Sequence, residues 1–118
     1  MPHIIFYHNI EHITPGLNTK LAQLNKILNE KTGIGLENIK SRAVPFTYGA
    51  IAERESGKYV HIEVILKDDK SEEIKNKTAD SVLEFAKNIF DEKTVEEITL
   101  ELREFNPDNY RKIKFRED

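Results

Sequence analysis

Cysteine is absent from this sequence of 118 residues. Its absence excludes disulfide bonds, zinc sites that use thiolate ligands and catalysis by a cysteine nucleophile. A chain without cysteine fits a reducing compartment, and we predict a cytoplasmic location. Long apolar runs are also absent, and the first residues have neither the basic segment nor the apolar length of a signal peptide. We therefore expect no membrane partner.

A surplus of positive charge is missing too. The chain has 18 Lys and Arg residues against 21 Asp and Glu residues, so its formal net charge is -3. A domain dedicated to nucleic acids usually carries a basic excess, and we expect no nucleic-acid partner. Residues 57–61 are faintly similar to the aromatic strand motif of RNA-recognition domains, but His61 stands where that motif needs a second aromatic side chain.

Short strands and amphipathic helices alternate along the chain. In the first half, about residues 2–50, the apolar run 4–7 predicts a strand, and residues 39–48 predict another. The second of these strands is expected to end, to bulge or to lie at a sheet edge at Pro45. Between them, leucines recur at the spacing of one helix face, at Leu17, Leu21, Leu24 and Leu28. The residues expected to start and stop this helix are Thr14, Pro15 and Gly33.

The second half, about residues 58–105, repeats the same order. Apolar and polar residues alternate over residues 58–67, which predicts the most regular strand of the chain. Ser71 is expected to cap a second helix that has acidic residues in its first turn. A further alternating strand follows at residues 98–103. The tail, residues 106–118, is too short to fold alone, so we expect it to lie on its own domain or on a neighbouring subunit.

These elements predict a single α/β (α+β) domain over residues 1–118. Two consecutive βαβ units would form a four-stranded mixed sheet with two helices on one face. Periodicity alone leaves two architectures open. One is the ferredoxin-like sandwich, and the other is an arrangement in which paired βαβ units assemble into trimers.

Pro2 is the first candidate for chemistry. Methionine before a small residue is usually removed in cells, which would leave Pro2 as a secondary amine at the chain terminus. A free α-amino group has a pKa of about 7.7–8.0, and burial beside cations lowers such a pKa, so the amine can act as a general base. Proline at this position is also simply permissive for methionine removal. Because a strand follows at once, we expect Pro2 at a strand end.

Three cations are the next candidates. Lys40 and Arg42 alternate with Ser41 along a predicted strand and therefore project from the same face. Two cations on one face can bind a dicarboxylate or stabilise an enolate, although charged residues on a strand are often only solvated. Lys70 lies just before the second helix, where it can help the N–H groups of the helix start to bind an anion.

The histidines raise the question of a metal. Residues 8–12 match the H-x-x-E-H string of inverted zinc proteases. That site needs one helix to bring both histidines together, whereas here the string follows a strand and precedes Pro15 and Gly16. We therefore expect no metal, and we expect structural roles for His3 and His61 on their strands.

Four segments carry a resemblance to a known family. They are MPHIIF at the start, ENIKSRAV at 37–44, YVHIEVILKDDKSEE at 59–73 and ITLELREFNPDNY at 98–110. In this order, over nearly the whole chain, the segments resemble the 5-carboxymethyl-2-hydroxymuconate isomerase family of the tautomerase superfamily. The first segment alone is weak, whereas the ordered combination is fairly specific.

The resemblance implies a tautomerase-like fold, a homotrimer with active sites near its interfaces, a small carboxylate substrate and no cofactor. It implies proton transfer in an unsaturated 2-oxo or 2-hydroxy acid, such as 5-carboxymethyl-2-hydroxymuconate in the catabolism of aromatic compounds. Pro2 resembles the family's catalytic base. Lys40 and Lys70 stand where the family has catalytic arginines, and Arg42 resembles the second arginine of the family segment I-R-S-R and is expected to bind substrate.

Some positions depart from the family pattern. A lysine keeps the charge of an arginine but loses its planar fork, so Lys40 and Lys70 predict an altered substrate preference or a slower reaction. The family tends to have an acidic residue near the end of the first strand, whereas residues 7–9 of this chain include no acid. The family also has a short A-D-G turn before the third strand, and the corresponding turn of this chain, at residues 52–57, is longer. Two rival hypotheses follow: a trimeric module without activity and a ferredoxin-like binding domain.

Overall fold

The computed structural model describes residues 2–11 and 15–116. Within them the chain forms four strands, two helices and two short 3-10 turns. The bounds are β1 His3–His8, α1 Leu17–Thr32, β2 Lys40–Pro45, β3 Tyr59–Lys67, α2 Glu72–Ile89 and β4 Glu97–Phe105. The strands form one sheet in the order β2-β1-β3-β4. β1 runs parallel to β2 and antiparallel to β3, and β3 runs parallel to β4.

Each helix connects two strands that lie side by side. β1 and β2, which α1 connects, are hydrogen-bonded neighbours, and so are β3 and β4, which α2 connects. The ferredoxin-like fold has split βαβ units instead, in which another strand lies between the two that the helix connects. The predicted mixed sheet of two βαβ units is therefore confirmed, and the ferredoxin-like alternative is wrong.

The core lies between both helices and one face of the sheet. Alternate residues of the central strands point into it, and Ile4, Phe6 and Ile62 are at most 1% exposed. Leu24 of α1 and Val82 of α2 are both 0% exposed and belong to the same apolar cluster. Burial of this apolar surface is the main favourable term in folding.

The other face of the sheet carries the alternate set of side chains, and we call it the open face. It begins at β1 with His3 and Ile5, continues on β2 with Lys40 and Arg42, and includes Glu63 of β3. The core cluster contains no side chain from this set. The two faces of the sheet therefore differ in chemistry, one apolar and helix-covered and the other rich in charge.

Glycine and serine set three of the helix ends. Ser71 Oγ accepts a hydrogen bond from Ile74 N at 3.2 Å, so the predicted cap of α2 is confirmed. Gly33 ends α1 as predicted, with a φ of 76°, a left-handed conformation that suits glycine. The start of α1 differs from the prediction, because the helix begins at Leu17 after Gly16, whose φ is 73°.

Two further boundaries differ from those expected. Pro15 lies in the turn before α1 rather than in the helix, and Thr14 lies outside the described residues. β2 begins at Lys40, one residue later than the predicted range 39–48, and it ends at Pro45, which is one of the outcomes that the sequence predicts for this proline. Neither helix in the described part of the chain is long and apolar enough to cross a membrane.

The tail after β4 folds back onto its own chain at Tyr110. The Tyr110 ring stacks on Phe105 with 4.7 Å between ring centroids, and its hydroxyl lies 3.0 Å from His3 Nε2. Beyond this contact, Ile113 and Phe115 are 80% and 93% exposed. The first part of the tail therefore belongs to the sheet edge, and two large apolar side chains after it face solvent.

We expect Leu24→Ala to lower the free energy of unfolding by about 2–5 kcal/mol, because it leaves a cavity in the core. Leu36→Ala is the matched control: Leu36 is 46% exposed, whereas Leu24 is 0% exposed. The control should change stability by no more than about 0.5 kcal/mol. Urea titration followed by circular dichroism measures both, and similar losses would contradict the packing of α1 on the sheet.

Candidate active site

Three chain segments meet at one edge of the sheet because of the strand directions. β1 lies between a parallel and an antiparallel neighbour, so the starts of β1 and β2 lie beside the end of β3. A cavity of about 290 Å³ opens there, and we call it the Pro2 hollow. Its lining residues are Pro2, Gly33, Ile34, Gly35, Asn38, Leu66, Lys67 and Lys70.

Pro2 is held firmly at the start of β1. Its side chain is less than 2% exposed, and its carbonyl oxygen accepts a hydrogen bond from Lys40 N at 3.0 Å. This bond continues the pairing of His3 with Lys40 by one step toward the chain terminus. Pro2 is thus part of the sheet edge, and its ring forms part of the hollow wall.

The turn after α1 forms another wall of the Pro2 hollow. Asn29 Nδ2 donates a hydrogen bond to the Ile34 carbonyl at 2.7 Å, and Asn38 N donates to the Gly35 carbonyl at 2.9 Å. From the tail, Lys112 Nζ donates to Asn38 Oδ1 at 3.0 Å. Hydrogen bonds of the chain itself therefore fix this wall.

Two lysines contribute positive charge to the hollow. Lys70, which was predicted from the sequence, and Lys67, which was not, both line it. The Asp69 carboxylate lies close to both, 3.3 Å from Lys67 Nζ and 3.9 Å from Lys70 Nζ. The only sequence signal for Lys67 is the K-D-D-K run at 67–70, and such charged turns are usually just solvated.

The side chains of Lys40 and Arg42 lie on the open face. Lys40 pairs with His3 and Arg42 pairs with Ile5, which sets the direction of both side chains. Both residues are exposed, and neither lines the Pro2 hollow. A single chain therefore brings Pro2 together with Lys70, but it does not bring the side chains of Lys40 and Arg42 into the same cavity.

His3 lies between these two cations and Tyr110 of the tail. Its Nε2 atom lies 3.0 Å from the Tyr110 hydroxyl. Burial first, and then the nearby charges of Arg42 and Lys40, lower the pKa of His3 below its ordinary value of 6.5. All of these effects disfavour the imidazolium form, so the neutral ring is the stable form beside the two cations.

The other histidines have structural contacts. His8 is 3% exposed, its Nδ1 atom accepts a hydrogen bond from a backbone N–H at 3.3 Å, and burial lowers its pKa. His61 Nδ1 lies 2.7 Å from Thr99 Oγ1. Across residues 2–11 and 15–116, no group of three or more histidine or acidic side chains is placed to hold a metal. His12, the last residue of the H-x-x-E-H string, lies outside these ranges.

A larger groove of about 640 Å³ lies at the opposite edge of the sheet, between the end of α2 and the start of β4. Four of its five charged lining residues are acidic: Asp91, Glu92, Glu96 and Glu97. Their charge repels a carboxylate, whereas the lysines of the Pro2 hollow attract one. For an anionic substrate the smaller cavity is therefore the better candidate.

The sheet order and the two βαβ units define a tautomerase fold, and solved structures share it. A 5-carboxymethyl-2-hydroxymuconate isomerase from Deinococcus radiodurans R1 has a TM-score of 0.79 at 23% identity, over 95% of this chain and 88% of that one. A macrophage migration inhibitory factor-like protein from Entamoeba histolytica has a TM-score of 0.70 at 16% identity, over 95% of each chain. A fused 4-OT, solved as a symmetric trimer, has a TM-score of 0.69 at 15% identity, over 88% of this chain and 85% of that one.

The family follows from the sequence itself. The model of the 5-carboxymethyl-2-hydroxymuconate isomerase family matches residues 2–117. The chain belongs to the 5-carboxymethyl-2-hydroxymuconate isomerase family, as the segment order predicted. Family and fold together support an isomerase- or tautomerase-like function. Comparison with the curated proteins finds no match.

We expect acid to destabilise the fold through His3. Its pKa is lowered in the folded chain, so the unfolded chain binds a proton more readily. The contribution of His3 to stability is therefore present above the unfolded value of 6.5 and is lost as the pH falls through the folded pKa. Urea titrations at a series of pH values should show a smaller acid loss in His3→Gln than in the parent chain. His61→Gln is the matched control, and equal acid losses in His3→Gln and the parent would contradict this role of His3.

Proposed function

We propose that this protein is a cofactor-free isomerase that moves a proton within an unsaturated 2-oxo or 2-hydroxy carboxylate, such as 5-carboxymethyl-2-hydroxymuconate. The observation that carries the proposal is the burial of Pro2 in a cavity that Lys70 also lines. Membership of the family supports the same class of reaction. A volume of about 290 Å³ suits a substrate of this size, at the small end of ligand sites.

The proposed base is the nitrogen of Pro2 after removal of Met1. A free α-amino group titrates at about pH 7.7–8.0, so part of it is already uncharged in neutral solution. Burial and a neighbouring ammonium group both favour the uncharged amine, which has the lone pair that a general base needs. While Met1 is present, the same nitrogen belongs to a peptide bond and cannot serve as the base.

The proposed reaction conserves atoms and electrons within the substrate. The Pro2 nitrogen takes a proton from the enol oxygen, or from a carbon next to the carbonyl group, and leaves a dienolate. The protonated amine then returns that proton to another carbon of the conjugated chain. Lys70 binds the substrate carboxylate or offsets the negative charge that develops on the dienolate oxygen.

We propose that Lys40 and Arg42 act within a homotrimer. Their side chains project from the open face, away from the Pro2 hollow of their own chain. A neighbouring subunit that packs against this face can bring its own hollow close to them. The fused 4-OT of similar fold was solved as a symmetric trimer, which supports this assembly. In the trimer Lys40 would contribute to catalysis and Arg42 to substrate binding.

A second candidate function is a trimeric module without activity. The separation of Lys40 and Arg42 from the Pro2 hollow in one chain favours it. Lysine at positions 40 and 70, where arginine is expected, favours it as well. N-terminal mass spectrometry of the purified protein separates the two functions: retained Met1 supports the inactive module, and Pro2 as the first residue supports the isomerase.

We expect Pro2→Ala to lower kcat for the tautomerisation of 2-hydroxymuconate by up to about 10²–10⁴-fold, the usual contribution of a general base, because alanine replaces the ring-held secondary amine by a freely rotating primary amine. Alanine at position 2 still permits removal of Met1, so the variant changes the amine and not the chain length. The rate is measured by ultraviolet absorbance. Pro107→Ala, in the 3-10 turn after β4, is the control.

Equal kcat values for Pro2→Ala and Pro107→Ala would show that the secondary amine of Pro2 is not required. A form with one extra residue before Pro2 gives an independent test. The added peptide bond removes the lone pair without changing any residue of the hollow, so this form should be inactive.

We expect Arg42→Gln to raise KM for 2-hydroxymuconate about ten-fold or more, the effect of losing a hydrogen bond to a charged group. Arg54→Gln is the control, because Arg54 pairs with Glu96 and does not line the hollow. Light scattering on a size-exclusion column should give three times the mass of one chain. A monomer, or an unchanged KM in Arg42→Gln, would contradict the proposed role of the trimer.

A further inference from the structure

One carboxylate is the counter-ion of both lysines in the Pro2 hollow. Asp69 Oδ2 lies 3.3 Å from Lys67 Nζ, and Asp69 Oδ1 lies 3.9 Å from Lys70 Nζ. The neighbouring acid, Asp68, makes no ion pair with any residue that the structure describes. Of the two acids in this turn, Asp69 is therefore the one that forms ion pairs with the lysines.

These two ion pairs are loosely held. The side chains of Lys67, Lys70 and Asp69 are 39%, 28% and 55% exposed, so water solvates all three. Ion pairs between solvated charges are weak, so they exchange easily with other charged partners. A second carboxylate that enters the hollow can therefore replace Asp69 at small cost.

We propose that Lys67 and Lys70 together form the carboxylate-binding subsite of the Pro2 hollow, and that Asp69 competes with the substrate for it. The identity of the substrate rests on the proposed isomerase function, whereas the subsite is defined by the three charged side chains. The carboxylate of an unsaturated acid would lie at the end of β3, and its conjugated carbon chain would extend toward Pro2. Both residues line the same cavity, which has room for one small acid.

Competition by Asp69 has a measurable consequence. In the free protein Asp69 occupies the lysines, so an incoming anion must displace it before it can bind both ammonium groups. Removing the charge of Asp69 should therefore strengthen anion binding, and removing the charge of Lys67 should weaken it. A general attraction of the surface for anions would change in the same two directions. A defined subsite is therefore recognised by comparison with controls that remove the same charge at nearby positions outside the subsite.

Calorimetric titration with fumarate, a small planar dicarboxylate, tests the subsite. We expect Asp69→Asn to bind fumarate about two- to five-fold more tightly than the parent chain, the strength of one or two solvated ion pairs. Asp68→Asn is the matched control, because it removes the same charge one residue away. It should change the Kd clearly less than Asp69→Asn does.

A second pair of variants tests Lys67. We expect Lys67→Gln to weaken fumarate binding about two- to five-fold. Lys77→Gln is its control, because Lys77 pairs with Glu73 on α2 at 3.1 Å and does not line the Pro2 hollow. All four substituted side chains are at least partly exposed, and urea titration checks that each variant is folded.

Equal tightening by Asp69→Asn and Asp68→Asn would overturn the proposal, and so would unchanged binding in Lys67→Gln. Fumarate has no enol proton, so its binding does not depend on Pro2 as a base. If the form with one extra residue before Pro2 kept its full rate while Asp69→Asn tightened binding, the proposed mechanism would fail and the subsite would stand. If Pro2→Ala were inactive while Asp69→Asn bound as the parent does, the subsite alone would fail.

Discussion

β1 lies between β2, which runs in the same direction, and β3, which runs in the opposite direction. This pairing brings the first residue of β1 to the edge where β3 ends. Pro2 therefore lies beside Leu66 and Lys70, although β1, α1 and β2 all come between them along the chain. With the opposite strand directions, the start of β1 would lie at the acidic edge near Glu97, where a carboxylate is repelled.

Apolar spacing was sufficient to predict most of the fold. Leu21, Leu24 and Leu28 form one buried stripe of α1, and the alternation in β3 separates its buried from its half-buried residues as expected. The same spacing could not select the sheet order, because alternation along a strand is independent of which neighbour it pairs with. The start of α1 was missed because Gly16 has a left-handed conformation, with a φ of 73°, and a residue in this conformation lies outside a right-handed helix.

The site was predicted less completely than the fold. Pro2 and Lys70, which the sequence singled out at the start of the chain and before α2, line the same cavity. For Lys40 and Arg42, the sequence was enough to predict a shared face. It could not relate that face to the hollow, because this depends on the register of β1 against β2. Lys67 was missed because a charged residue at a strand end looks like ordinary solvated surface.

The two glycines in the wall of the Pro2 hollow differ in how well their positions tolerate another residue. Gly33 has a φ of 76°, so any other residue there would strain the backbone that ends α1. Gly35 has a φ of -56°, and an added Cβ would lie 2.7 Å from Glu37 Oε1, the tip of a flexible side chain that can move away. The cavity can therefore be narrowed at position 35 without disturbing the helix. If the hollow binds unsaturated acids as proposed, a substitution at position 35 would change the length of acid that fits while the scaffold stays intact.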